Sequence, residues 1–229
     1  MNRILKLVAV AGGCLVASAA ALAAIQQQQP AKSPAELGKQ VGQGIRGGMS
    51  DPAGMEAAMN KWMETMKPGP AHEFLTAAFV GDWNVETKMW MDPAGEPQTS
   101  KGTTACKPLF GGRYVRETFK GDMMGQPFEG EGTTGFDNNK KLFVSTWMDS
   151  MGTGIMVMKG SISEDGKTLT LVGEMDEPMT GEVGKPIMMK VTVESPDRHV
   201  STMYEILYGE PVKVMEMTYT RAKPAGGTR

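Results

Sequence analysis

The residues in this sequence that are best able to do chemistry are its methionines, of which there are 21 among 229 residues. Six of them form three pairs with a spacing of two: Met89/Met91, Met156/Met158 and Met215/Met217. Within a β-strand this spacing places both side chains of a pair on the same face. Thioethers are soft ligands that suit Cu(I), so one interpretation is a copper site. The interpretation we favour is that these flexible side chains line a pocket or fill a core beside rings such as Trp83 and Trp90.

Other patterns that indicate catalysis or metal binding are missing from the sequence. His72-Glu73 is not followed by a second histidine at the spacing of a zinc helix, and neither a nucleophile elbow nor a phosphate-binding glycine loop occurs. Asp149 is followed by Ser150-Met151-Gly152, so it is either a general base or an ordinary turn residue. Cys106 lies in a predicted strand, where we expect a small buried side chain. We therefore predict no catalytic residue, no metal ligand set and no cofactor, and enzymatic activity stays an open question.

The N-terminus has the pattern of a targeting segment. Arg3 and Lys6 precede an apolar run, and Ala21-Leu22-Ala23 supplies the small-x-small pattern of a cleavage site, so residues 1–23 are predicted to be a signal peptide. Two alternatives stay open. Ala11-Gly12-Gly13-Cys14 resembles a lipoprotein box, and the run approaches the length of an uncleaved membrane anchor. The predicted location is exported, either periplasmic or extracellular, with the chain free or tethered to the membrane.

Charge and cysteine content narrow the possible partners. The chain carries 24 basic and 26 acidic side chains, and removing residues 1–23 takes away the basic residues Arg3 and Lys6. The resulting mild acidity gives no support for nucleic-acid binding or for docking on an anionic membrane. Cys106 is then the only thiol, which excludes an intramolecular disulfide. We also predict that the mature domain does not insert into a membrane.

Composition divides the rest of the chain into four parts. Residues 24–50 are rich in Gln, Gly and Ser and are predicted to be a disordered tether. Residues 51–70 are predicted to form an amphipathic helix that Asp51 caps, with the apolar stripe Met55, Met59, Trp62, Met63 and Met66. Residues 71–223 are predicted to be a β-barrel domain that begins with a second short helix, and residues 224–229 a flexible tail.

The barrel prediction depends on the turn residues that recur along the sequence after Trp83. Nine turn clusters separate ten segments rich in Val, Thr, Met, Phe and Tyr, which is typical of an antiparallel meander. Ten sequential strands would leave two exposed edges unless the sheet closed. The predicted fold is therefore all-β, an antiparallel ten-stranded barrel preceded by two short helices. Gly130 and Gly132 within one segment indicate a bend or a close approach of another group.

Alternation within two of the segments predicts which residues face the barrel interior. In the first segment this inner set is Trp83, Val85, Thr87, Met89 and Met91. In the ninth segment it is Val200, Thr202, Tyr204, Ile206 and Tyr208, with Ser201 and Glu205 on the opposite, wet face. A barrel of ten strands has room for a ligand inside.

A resemblance to known proteins supports the same fold. Gly81-x-Trp83 after a short helix resembles the first strand of calycin-type barrels, the group of lipocalins and fatty-acid-binding proteins. Over residues 71–220 the blocks GGRYVRE, PFEGEGTTGFD and WMDS are similar to an exported bacterial family, the domain of unknown function 1579. The resemblance implies a calycin-like barrel, and it carries no activity or catalytic residue with it.

Four polar residues have two interpretations each in the light of this resemblance. In the interpretation we prefer, a charged lattice across neighbouring strands is formed by Arg113, Arg116 and Glu117. The alternative is that a buried arginine receives a ligand carboxylate, as in fatty-acid-binding barrels. His199 follows a turn, so we expect a solvated surface residue. The alternative is an axial haem ligand, because some ten-stranded calycin-like barrels bind haem through one histidine.

These observations favour a barrel that binds a small apolar or amphipathic molecule without catalysis. Arg113 or Tyr204 is expected to orient the ligand's polar head. The predicted ligand-binding residues are Trp83, Met89, Met91, Arg113, Trp147, Met156, Met158 and Tyr204. The alternatives are a methionine-based copper or haem protein of the envelope and an enzyme that uses the barrel cavity.

Overall fold

Two helices precede the sheet in the computed structural model, which describes residues 52–178 and 180–223. The predicted signal peptide at 1–23, the tether at 24–50, the Asp51 cap and the tail at 224–229 lie outside the described residues. Helix α1 spans Pro52–Met66 and helix α2 spans Pro70–Phe79. Proline opens both helices, where its missing N–H costs no hydrogen bond. Neither described helix is long and apolar enough to span a bilayer.

The two helices differ in burial. The apolar stripe of α1 is exposed, with Met55, Met59, Trp62, Met63 and Met66 between 42% and 57% accessible. In α2 the side chains of His72, Leu75 and Ala78 are buried. Nδ1 of His72 accepts a hydrogen bond of 3.1 Å from the backbone N–H of Gly69, which caps the helix. Helix α2 therefore belongs to the barrel core.

The described residues after α2 form ten antiparallel strands in one closed barrel, ordered as in the sequence. They are β1 (Gly81–Met89), β2 (Gln98–Leu109), β3 (Tyr114–Met123), β4 (Gln126–Asp137), β5 (Leu142–Asp149), β6 (Met156–Ile162), β7 (Thr168–Glu177), β8 (Glu182–Ser195), β9 (Arg198–Leu207) and β10 (Glu210–Arg221). Strands β1 and β10 close the barrel, with Trp83 opposite Arg221 and Met89 opposite Met215. Closure leaves no unpaired edge. The predicted fold is confirmed.

The sequential topology gives the barrel two unlike ends. The hairpins that join β1 to β2, β3 to β4, β5 to β6, β7 to β8 and β9 to β10 all lie at one end, which we call the mouth. The opposite, closed end holds the start of β1 and helix α2. There Phe74 packs edge-on against Phe143 at the start of β5, and His72 against Phe136 at the end of β4. Helix α2 thus covers the closed end.

The first strand shows how alternation builds the core. Trp83, Val85 and Thr87 are buried while the residues between them are exposed, as predicted. The indole of Trp83 is 1% exposed, and its Nε1 donates a 2.8 Å hydrogen bond to the carbonyl of Phe79. This bond ties the end of α2 to the first strand. Strand β1 ends at Met89, so strict alternation does not continue to Trp90 and Met91.

The predicted inner face of β9 is wrong. The buried residues are His199, Ser201 and Met203, and the predicted set that includes Tyr204 lies on the other face. Both faces of this strand carry apolar and polar side chains, so its own pattern does not distinguish inside from outside. Register decides instead, because Met203 lies between Met189 and Met215 on the neighbouring strands.

The glycines of β4 allow an aromatic side chain to lie flat against the sheet. A Cβ atom on Gly130 would overlap the indole of Trp147, and one on Gly132 would lie 3.0 Å from its Cε3. Trp147, on β5, lies opposite Gly132 on β4, and its indole covers both glycines. This cross-strand packing of an aromatic ring over glycine explains the close approach that the sequence indicated.

Candidate functional site

The barrel encloses a cavity of about 1160 Å³ that opens at the mouth. Such a volume is large enough for a small organic molecule. Its wall is mostly apolar, with Trp147, Phe119, Phe128, Leu169 and Leu171 among the lining side chains. Methionine is the residue type that recurs most in the wall. The lining methionines are Met89, Met91, Met123, Met148, Met151, Met156, Met158, Met175, Met189, Met203, Met215 and Met217.

Four of these methionines form a continuous belt around part of the wall. Met89 on β1 is opposite Met215 on β10, Met215 is opposite Met203 on β9, and Met203 is opposite Met189 on β8. Residues directly opposite in adjacent strands have Cβ atoms about 4.5–5.5 Å apart. We call these four residues the methionine belt. It makes that side of the cavity soft and adaptable in shape.

A group of polar side chains lies deeper in the barrel, towards the closed end. Oε1 of Glu117 accepts hydrogen bonds from the hydroxyls of Thr104 at 3.2 Å and Tyr219 at 3.3 Å. Cys106 is opposite Glu117 on the neighbouring strand. His199 is opposite Tyr219 and stacks on its ring at 4.3 Å. We call these five residues the floor cluster; Glu117, Cys106, His199 and Tyr219 line the cavity.

The imidazole of His199 is held by aromatic rings and lacks a full set of hydrogen bonds. Trp83 and Phe79 pack edge-on against it, with ring centroids 4.5 Å and 5.2 Å away. The side chain is 4% exposed, and its buried Nδ1 has no hydrogen-bond partner. Buried polar atoms are nearly always paired, so an unpaired nitrogen beside a cavity indicates a position where a ligand can bind.

Burial favours the uncharged form of the titratable groups in the floor cluster. Burial raises the pKa of the Glu117 carboxyl, against the opposing effect of its hydrogen bonds from Thr104 and Tyr219. Burial also raises the pKa of the Tyr219 hydroxyl and of the Cys106 thiol, and the nearby Glu117 raises both further. Burial, with a smaller effect of Arg221, lowers the pKa of His199 to about 4. These directions all favour the neutral form of each group.

The charged groups of the cavity lie nearer the mouth. Nζ of Lys185 is 2.9 Å from Oε2 of Glu205 and 3.5 Å from Oε2 of Glu182. The hydrogen bond to Glu205 raises the pKa of Lys185, which keeps the amine charged. The ammonium group is therefore already neutralised by carboxylates of the protein. Exposed apolar side chains surround this opening: Met91, Met124, Met151, Ile155, Val183 and Tyr208.

The structure places the predicted site residues in three different environments. Met89, Met91, Trp147, Met156 and Met158 line the cavity. Trp83 lies in the core beneath His199, with almost no accessible surface.

Arg113 and Tyr204 lie outside the barrel, contrary to the prediction that they orient a ligand inside it. The guanidinium of Arg113 donates to the carbonyls of Phe110 at 2.8 Å and Met66 at 2.9 Å, which holds it at the closed end. Tyr204 lies on the outer face of β9, where Lys190 approaches its ring at 5.8 Å. Tyr204 is one residue away from the inward-facing Met203 and Glu205, so a shift of one residue in the alternation explains the error.

The preferred sequence interpretations placed neither Glu117 nor His199 in the cavity. The preferred interpretation puts Glu117 in a charged lattice with Arg113 and Arg116, yet of the three only Arg116 is exposed on β3, and Glu117 lines the cavity. The signal for Glu117 was present in the sequence, because it alternates with Val115 and Phe119, which are both buried. His199 was expected at the surface and is buried instead, because it belongs to the inner face of β9.

Asp149 has the structure of a turn residue. Its Oδ1 accepts a 2.9 Å hydrogen bond from the backbone N–H of Met151, and its Oδ2 accepts a 3.0 Å bond from Nε1 of Trp147. Both oxygens are therefore used to form the turn and to fix the indole that lies over the glycines.

The raised pKa of Glu117 predicts a distinct dependence of stability on pH. A carboxyl whose pKa is higher in the folded state than its ordinary value of 4.5 stabilises the fold fully below that value, and this stabilisation is lost as the pH rises through the folded pKa. In Glu117→Gln the group cannot ionise. We therefore expect the free energy of unfolding of Glu117→Gln, relative to the wild type, to increase with pH from about 4.5 upwards.

Urea denaturation at a series of pH values measures this difference. It should grow by about 1.4 kcal/mol for each unit by which the folded pKa exceeds the unfolded one, and then level off. Glu86→Gln, on the exposed face of β1, is the matched control. A difference that stays flat from acid to neutral pH would show that the Glu117 carboxyl is not perturbed by burial.

One family model and a set of solved structures match this chain. The family model described as "Protein of unknown function (DUF1579)" matches residues 67–221. No curated protein matches the chain. Among solved structures, the crystal structure of Rv2717c from M. tuberculosis is similar at 15% identity and a TM-score of 0.48, with 69% of this chain and 100% of that chain covered. The S-type phycobiliprotein lyase CPES from Guillardia theta is similar at 13% identity and a TM-score of 0.47, with 67% of this chain and 94% of that chain covered. A redesigned β-barrel is similar at 15% identity and a TM-score of 0.35, with 67% of this chain and 96% of that chain covered.

Proposed function

The chain belongs to the DUF1579 family of proteins of unknown function, and we propose that its barrel binds a small apolar or amphipathic molecule without transforming it. The observation that carries this proposal is the cavity of about 1160 Å³ with its mostly apolar wall. Burying an apolar ligand there would contribute about 25 cal/mol per Å² of apolar surface removed from water. The flexible methionines allow the wall to adapt to the shape of the ligand.

Binding of an uncharged apolar fluorophore tests this proposal directly. We expect phenylnaphthylamine to bind the purified protein with a rise in fluorescence, at one molecule per barrel. Native mass spectrometry of protein from the producing organism should also show an added mass that denaturation removes. A protein that neither binds the fluorophore nor carries an added mass would contradict the proposed function.

A second candidate function is Cu(I) binding by the methionine belt. The register of Met89, Met215, Met203 and Met189 supports it, because it brings thioethers of four adjacent strands together. Within the described residues no group of three His, Cys, Asp or Glu side chains is arranged to hold a metal, so thioethers would supply the ligands. Cu(I) titration against bicinchoninate would then give one equivalent per protein, lost in Met203→Leu/Met215→Leu and kept in the exposed control Met124→Leu. Competition that removes all copper from the wild type contradicts this candidate.

The haem alternative depends on His199 alone. His199 lines the cavity and its Nδ1 has no hydrogen-bond partner, so a ring nitrogen is available to bind an iron atom. The stacking of Tyr219 at 4.3 Å and the edges of Trp83 and Phe79 fix the ring by packing. Absorption spectroscopy of the protein mixed with haem, compared with His199→Phe, tests this. A Soret band that does not depend on His199 would rule out axial ligation by this residue.

We also propose that the chain is exported and that signal peptidase cleaves it after Ala23. The basic start, the apolar run and Ala21-Leu22-Ala23 support this proposal. Intact-mass measurement of the protein from the envelope fraction should give a mature chain that begins at Ala24. A full-length mass, or a lipid-modified Cys14, would contradict cleavage at this position.

A further inference from the structure

The floor cluster can distinguish between the head groups of amphipathic molecules, provided that the barrel binds such molecules as proposed above. We propose that this cluster receives an uncharged hydroxyl head, as in an alcohol or a phenol, and excludes a carboxylate. The occupant would be an amphipathic alcohol or phenol with its apolar body against the methionine belt. Three features support this: unused hydrogen-bonding atoms, the absence of a free cation among the described residues at the floor, and burial that favours the neutral form of the titratable groups there.

Two atoms of the floor cluster have hydrogen-bonding capacity left over. Nδ1 of His199 is buried without a partner. The second atom is Oε2 of Glu117, because the hydrogen bonds from Thr104 and Tyr219 both go to Oε1. A hydroxyl group both donates and accepts, so it can satisfy a neutral carboxyl or imidazole whichever of them carries the proton. A carboxylate only accepts.

No free cation is present among the described residues at the floor to balance a carboxylate. Arg113 is held outside by the carbonyls of Phe110 and Met66. The Arg221 guanidinium lies over the Trp83 ring at 4.2 Å and is paired with Asp197 at 3.0 Å. Leaving a buried carboxylate without a partner costs several kcal/mol. The charge at Glu117 adds repulsion whenever that residue ionises.

The mouth does not offer a better place for a carboxylate head. Lys185 is the lining cation there, and its ammonium group is already within 3.5 Å of both Glu205 and Glu182. A ligand carboxylate would have to compete with two protein carboxylates for this one group. The anionic head is therefore disfavoured in both orientations of the ligand.

Three ligands that share one apolar body test the proposal: octylbenzene, para-octylphenol and para-octylbenzoate. Each is titrated against the full protein loaded with phenylnaphthylamine at neutral pH. We expect the phenol to displace the fluorophore about fivefold more effectively than octylbenzene, which is the effect of one added hydrogen bond of about 1 kcal/mol. We expect it to be at least about tenfold more effective than the benzoate, because of the unbalanced charge.

Two variants assign the preference to the floor cluster. His199→Phe keeps the ring stacked on Tyr219 and removes the unpaired nitrogen, and Glu117→Leu removes the carboxyl with its unused Oε2. Each should weaken phenol binding about fivefold relative to octylbenzene binding. Ser145→Ala is the matched control, since it removes a cavity hydroxyl whose partner is Thr134 and not the floor cluster. It should leave the order of the three ligands unchanged.

The outcomes separate this inference from the proposed function. Equal or tighter binding of the benzoate overturns the exclusion of carboxylates while ligand binding stands. Equal binding of octylbenzene and the phenol, or variants that weaken all three ligands alike, overturns head-group recognition by the floor. If neither the fluorophore nor any of the three ligands binds, the proposed function fails and this inference fails with it.

Discussion

Replacing Trp83 by alanine is expected to lower the free energy of unfolding by about 3–5 kcal/mol, the largest loss of any single change considered for this barrel. The indole is 1% exposed and joins three parts of the structure. It donates a 2.8 Å hydrogen bond to the carbonyl of Phe79 at the end of α2, lies 4.2 Å below the Arg221 guanidinium and supports the His199 ring at 4.5 Å. Truncation leaves a cavity, an unpaired carbonyl and an unsupported imidazole together.

Urea or guanidinium denaturation measures this loss of stability. Two further variants show how much of it comes from the hydrogen bond and from the position of the indole. Trp83→Phe keeps an aromatic ring but loses the hydrogen bond, so its cost should be smaller than that of alanine. Trp90→Ala removes an indole at the mouth whose described partner is Lys213, 4.2 Å from the ring centroid. It should cost clearly less than Trp83→Ala. Equal losses at the two tryptophans would contradict a special role for Trp83 in fastening α2 to the barrel.

The sequence contained enough information for the architecture because each strand is bounded by its own turn residues. Local signals such as Asp92-Pro93-Ala94-Gly95 and Glu164-Asp165-Gly166-Lys167 mark the ends of strands without any knowledge of the partners. Closure then follows from the need to pair the edges of β1 and β10. The inner face of β1 was also predictable, because Asn84, Glu86 and Lys88 leave only one apolar side.

The site was less predictable because inner and outer faces are not distinguished by polarity in every strand. In β9 the apolar residues Val200 and Ile206 lie on the outer face, while Ser201 and Glu205 point inwards. A cavity that contains polar groups reverses the rule that polar residues face water. Long-range register therefore decides, and register depends on all ten strands at once.

The polar groups that face inwards also determine which ligands the cavity can select. A wall of methionines would accept many apolar shapes, and promiscuous surfaces use methionine for this reason. A floor with unfilled hydrogen-bonding positions adds selection by the head group. Specificity then comes from the few polar groups at the floor, and affinity comes from the apolar surface that the wall buries.

Filling the cavity from its wall should abolish ligand binding without unfolding the barrel. Ser145 on β5 lines the cavity, and its hydroxyl lies 2.9 Å from that of Thr134. In Ser145→Trp an indole projects into the space that the ligand needs, so phenylnaphthylamine affinity should fall at least about tenfold, a loss of about 1.4 kcal/mol or more. Small-to-large changes in a packed interior cost about 1–3 kcal/mol of stability, and the open cavity should keep this cost at the lower end.

Val144→Trp is the matched control for this prediction, because it places the same side chain on the outer face of the same strand, one residue away. Tryptophan is well tolerated in strands, so both variants should fold. If ligands occupy the barrel interior, only the inward indole weakens fluorophore binding, and the outward one leaves it unchanged. If both variants weaken binding equally, or neither does, the fluorophore binds elsewhere on the protein, and the cavity is not its site.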